Sequence, residues 1–72
     1  MYILGYRVII ERAKKNYSAY ASDLPGCIST GPTVEETKRN MLQAMEGHIQ
    51  GMVEDGLPVP EPREPNERSR HG

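Results

Sequence analysis

Apolar and polar positions alternate loosely from Tyr6 to Ala13, around Val8, Ile9 and Ile10. β-branched residues favour a strand, and a run that is apolar on both sides predicts a central one. Gly5 marks either a bulge or the start of that strand. Lys14-Lys15-Asn16 is a polar connection of hairpin length. Tyr17 to Ser22 then alternates as a second strand, and Cys27 to Thr30 reads as a short third one. Between them stands Asp23-Leu24-Pro25-Gly26, in which Pro fixes φ and Gly supplies φ > 0.

The period changes after Gly31-Pro32. Thr33 with Glu36 three residues on forms a capping box, and Glu35 and Glu36 sit in the positive first turn of a helix. At about 100° per residue, Val34, Met41, Leu42, Met45, Ile49, Met52 and Val53 share one face, opposite Glu36, Arg39, Gln43, Gln50 and Glu54. Gly56 and Pro58 stop the helix. Leu57 to Pro60 is expected to form a fourth strand beside the first, restricted to an edge by its prolines. The expected fold is therefore α+β, in the order β-β-β-α-β. A three-stranded antiparallel sheet carries one helix on one face and a short fourth edge strand, a partial ribonuclease-H-like layout.

Composition changes this picture in three ways. The chain has 72 residues, and one of this length buries only about 60% of its unfolded surface. Residues 1–61 are expected to form the domain and residues 62–72 a disordered polar tail, since Arg63 to Gly72 contain no apolar side chain. With no Trp, no Phe and one Cys, added stability is expected from self-association, as a homodimer or tetramer, rather than from a disulfide. Two features single out the interface. The apolar Tyr2-Ile3-Leu4 segment exceeds what one helix covers, and Asn40, Ala44, Gly47 and Gly51 form a row of small residues beside the apolar face.

Charge is uneven within a net of −1. Residues 1–32 carry Arg7, Arg12, Lys14 and Lys15 against Glu11 and Asp23, a net of +2. Residues 33–62 carry Glu35, Glu36, Glu46, Glu54, Asp55 and Glu61 against Lys38 and Arg39, a net of −4. The acidic half suits a basic partner better than a polyphosphate. No signal peptide and no run of about 20 apolar residues is present, so a cytoplasmic protein without a membrane contact is expected.

No catalytic, metal or cofactor site is expected. Gly31-Pro32-Thr33 lacks the glycines and the Lys of a phosphate loop. Cys27 has no evident base, because His48 lies on the helix flank and His71 in the tail. Two-metal nuclease chemistry needs convergent carboxylates, which Glu11 and the outward helix acids do not offer. An RNA-binding alternative stands on Tyr17 and Tyr20, whose rings could stack bases from one sheet.

Residues from about Tyr6 to Pro60 resemble the HicB-like antitoxin family of toxin–antitoxin systems. An aromatic strand ending in Asp23-Leu24-Pro25-Gly26-Cys27 carries the resemblance, with Ser29, Gly31, Thr33, the Glu35-Glu36 pair and the closing Glu54-Asp55-Gly56-Leu57-Pro58-Val59-Pro60. It implies a non-enzymatic protein that neutralises a HicA-like toxin, an mRNA interferase, by covering its active face. Asp23, Leu24, Pro25, Gly26, Glu35, Glu36, Glu46 and Glu54 are the partner-binding candidates. Many members append a DNA-binding domain. Twelve residues follow Pro60, so direct DNA binding by this chain is not expected. The alternative is a homo-oligomeric structural or ligand-binding module without a toxin partner.

Overall fold

A two-residue hairpin opens the sheet. In the computed structural model, which describes residues 1–62, β1 (Tyr2–Ile3) pairs antiparallel with β2 (Tyr6–Arg12). Ile3 faces Tyr6 across a turn made of Leu4 and Gly5 alone, at φ 55° and 83°. Two consecutive positive φ values are what a type I′ hairpin requires. Gly5 is therefore a turn residue rather than a bulge.

β2 leads through residues 13–16 into β3 (Tyr17–Ala21), and the Asp23–Gly26 turn leads into β4 (Ile28–Gly31). The order in space is β1-β2-β3-β4, all antiparallel, and helix α1 (Val34–Glu54) follows. The α+β class, the antiparallel strands and the helix on one face stand as expected from the sequence. The short edge strand, however, lies at the other end of the chain.

Leu57–Pro60 forms no strand. The Leu57 N–H bonds Met52 O at 2.8 Å and the Gly56 N–H bonds Val53 O at 3.1 Å, with Gly56 at φ 72°. This is a Schellman close, and it consumes the first donor the strand would have used. Pro58 and Pro60 have no N–H to give. The segment still returns to β2, where the Tyr6 hydroxyl donates to Pro60 O. A Cβ at Gly5 would meet the Pro62 ring. A side-chain bond and van der Waals contact thus replace a backbone ladder. The expected tail lies, from residue 63 on, outside the described residues.

The helix starts as its capping residues dictate. Thr33 is extended at φ −134°, and its hydroxyl oxygen accepts the Glu36 N–H at 3.1 Å. The buried stripe is narrower than the wheel suggested: Thr37, Met41 and Met45 lie under the helix, while Val34 and Val53 are exposed. Thr37 is polar and fully buried, and its hydroxyl donates to Thr33 O at 2.7 Å. Tyr6, Val8, Ala19, Ala21, Leu24 and Cys27 complete the core from the sheet side. At the β4 edge, Asn40 Nδ2 donates to Thr30 O at 2.9 Å.

Gly26 has φ +84° with open space where a Cβ would stand. The strain of a substitution there is therefore purely torsional. Gly26→Val is expected to lower stability by about 1–2 kcal/mol, because a β-branched residue is least tolerated at positive φ. Urea denaturation measures it, and an unchanged midpoint would mean that this φ is not populated in solution.

Candidate functional site

The candidate partner residues do not form one patch. The Asp23–Gly26 turn precedes β4 and the Glu35-Glu36 pair follows it, so roughly 13 Å of strand separates them. Within the turn, Leu24 is fully buried and belongs to the core, Asp23 is half-buried, and Pro25 and Gly26 are exposed. On the helix, Glu35 and Glu46 are eleven residues apart, about three turns, and share one flank. Glu36 and Glu54 are eighteen apart, about five turns, and share the other side of the exposed face. Gln50 Nε2 donates to Glu54 Oε2 at 3.3 Å, the i,i+4 pair expected on an exposed helix.

The interface candidates are also divided. Tyr2 and Ile3 lie on β1, and Leu4 is held in the hairpin turn at 48% exposure. Ala44 packs partly on the core. Gly47 and Gly51 face open space, with nothing within 4 Å of an added Cβ.

The structure brings two of these sets together at one place. Tyr2 and Ile3, with Met1, face Glu35, Lys38, Arg39 and Leu42 across a groove of about 480 Å³. Its walls are the N-terminal strand and the flank of the helix that carries Leu42. That flank spans one helical face at spacings of three and four residues, which brings Glu35, Lys38, Arg39 and Leu42 into a line. The lining is apolar at Met1, Ile3 and Leu42 and of mixed sign at Glu35, Lys38 and Arg39. Such a surface can seat an apolar side chain and pair charges of either sign around it. Met1, Lys38, Arg39 and Leu42 were not singled out in the sequence. The missing signal was β1, because only its pairing with β2 puts the N-terminus beside the helix.

The base-stacking platform is not formed. Tyr17 shares the parity of the buried Ala19 and Ala21, and Tyr20 points to the opposite face. Two aromatic rings on opposite faces cannot stack on one strand of RNA.

The nucleophile reading meets a similar obstacle. Cys27 is 3% exposed, and burial pushes its thiol up from the ordinary value. An activated cysteine shows the reverse shift. Among the described residues, no group of three or more His, Cys, Asp and Glu side chains could hold a metal ion. Among the described residues, no helix is long and apolar enough to cross a membrane.

The family model described as HicB_like antitoxin of bacterial toxin-antitoxin system matches residues 6–71. A 14.9 kDa protein from the rep-hol intergenic region of Haemophilus phage HP1 is 38% identical over 55 residues, 76% of this chain. The chain spans 41% of that relative's length. A UPF0150 protein of Synechocystis is 36% identical over 59 residues, covering 81% of this chain and 75% of the relative. Among solved structures, a chain of the HicA3 and HicB3 toxin-antitoxin complex superposes with a TM-score of 0.69 at 27% identity. The match covers 92% of this chain and 74% of the other.

Proposed function

The chain belongs to the HicB-like antitoxin family of bacterial toxin–antitoxin systems, and from that premise we propose that it neutralises a HicA-type mRNA interferase by binding it as a protein, with no catalysis of its own. The observation that carries the reading is the superposition on a toxin–antitoxin complex over 92% of the chain. Two features of the surface support it. The groove beside β1 combines apolar walls with a charged rim. Glu35, Glu36, Glu46 and Glu54 are exposed on the helix, which suits a partner whose surface is basic.

Complementary charge acts mainly on encounter. Reversing Glu35 and Glu36 to Lys should therefore slow association with the toxin by about tenfold at low salt, with a smaller effect at high salt. The same pair also favours the helix start, at about 0.3–1 kcal/mol each, so circular dichroism must show an intact helix. The functional assay is RNA cleavage by a HicA-type toxin titrated with this chain. Cleavage should stop near equimolarity, and the chain alone should cleave no RNA. A toxin that stays fully active in excess chain would overturn the reading. Inhibition insensitive to charge reversal would retain the antitoxin function and remove the acidic-face mechanism.

A further inference from the structure

The face of the sheet opposite the helix carries an apolar row that the core does not use. Strand side chains alternate, so Arg7, Ile9 and Glu11 of β2 point away from the helix, between the buried Tyr6 and Val8 and the core-facing Ile10. The register places Ile9 beside Tyr20 and Tyr20 beside Ile28. These three residues cross β2, β3 and β4 in one line. Ile28 is 64% exposed and Tyr20 37%. An antiparallel sheet with one solvated face ordinarily places polar residues there.

A charged residue of β2 stands on each side of the row. On one side Arg7 stands beside Tyr2, and on the other Glu11 stands beside Ser18, which neighbours Thr30. Arg7 and Glu11 are each two residues from Ile9, about 7 Å along the strand in opposite directions. The face is therefore an apolar line with a cation on one side and an anion at equal distance on the other.

We propose that this face docks a second copy of the chain, about a two-fold axis running along Ile9, Tyr20 and Ile28, with Arg7 of each copy paired to Glu11 of the other. A two-fold axis along the row reverses strand direction and leaves the row in place. Each apolar residue then meets its own counterpart, and Arg7 comes opposite Glu11 twice. An axis parallel to the strands would instead bring Arg7 level with Arg7 and Glu11 level with Glu11, which like-charge repulsion disfavours. Stacked sheets lie about 10 Å apart and within about 30° of alignment, a gap that an extended Arg and a Glu span together. The contact is isologous, as a two-fold dimer requires. Among the residues that line the groove between β1 and the helix, only Tyr2, which stands beside Arg7, also borders this face, so a toxin bound in the groove would meet the dimer at Tyr2 alone.

The test is a charge swap read by sedimentation equilibrium of the full chain up to millimolar concentration. The face is small, so a concentration-dependent dimer is expected rather than an obligate one. Arg7→Glu and Glu11→Arg should each raise the dimer dissociation constant by about tenfold or more. The double variant should recover most of that loss, because its pairs are opposite in sign again. Ile28→Lys, at an exposed position, should abolish the dimer while leaving the circular dichroism spectrum unchanged. Three results would overturn the proposal. One is a monomer at every concentration. Another is a double variant no better than the worse single one. The third is a monomeric chain whose single variants lose toxin binding or RNA binding, which would assign the face to that partner.

Discussion

Gly31→Ala is expected to cost about 3 kcal/mol, because the strand and the helix meet at this residue with no room for a methyl group. A Cβ at Gly31 would stand 2.7 Å from Thr37 Oγ1, 2.8 Å from Thr37 N and 3.1 Å from Thr37 Cα. The hydroxyl could rotate, but the backbone atoms cannot move alone. Thr37 N is bonded to Thr33 O at 2.9 Å, and its hydroxyl to the same carbonyl at 2.7 Å. Accommodating the methyl therefore means lifting the first turn of the helix from β4. A domain of this size holds about 4–11 kcal/mol in all, so the variant should be largely destabilised. Thermal unfolding followed by circular dichroism should show a midpoint lower by about 15 °C. A shift under a few degrees would mean that helix and strand are farther apart in solution.

Leu24→Ala should be comparably damaging, at about 3 kcal/mol. Leu24 is fully buried although it lies in a turn between two short strands. It is among the largest side chains with no exposure, together with Met41 and Met45. Its removal leaves a cavity where the turn, β3 and the helix meet, and a chain with so few large core residues cannot refill it. The turn itself is held by Leu24 N to Ala21 O at 3.3 Å and Cys27 N to Leu24 O at 3.0 Å, so the side chain anchors two backbone bonds. Urea denaturation of the variant decides the point. Unchanged stability together with weakened toxin binding would return Leu24 to the role of a surface contact.

Leu24 illustrates which parts of this chain were legible in the sequence. The helix limits were, because Thr33, Glu36 and Gly56 act through bonds to neighbours only a few residues away. β3 was legible from its alternation alone. The fate of Leu24 was not, since a four-residue turn motif says which φ values it needs and nothing about which side chain it turns inward. β1 was missed for a related reason. Its turn places Leu4 at φ 55°, where Asn or Gly is the usual signal, so Gly5 alone marked the hairpin and was equally consistent with a bulge or a strand start. The strand expected at Leu57–Pro60 failed because helix closure and strand pairing compete for the same N–H of Leu57. The groove at β1 inherited both errors. The open-face row depended on register, which aligns residues eleven and eight positions apart in the chain.

The bond from Asn40 to Thr30 bears on how this chain behaves when crowded. In β4 the Cys27 carbonyl turns toward β3, accepting from Ala21 N, so the backbone groups of Ile28 and Thr30 turn outward. An unpaired edge of this kind is a template on which strands add without limit. Asn40 occupies the Thr30 carbonyl and so interrupts the row of acceptors at its second position. An incoming strand would find a ladder one residue long before a side-chain amide blocks its next donor. The helix that covers one face of the sheet thereby also guards its rim against fibrous growth, and it does so without placing a charge or a proline on the strand.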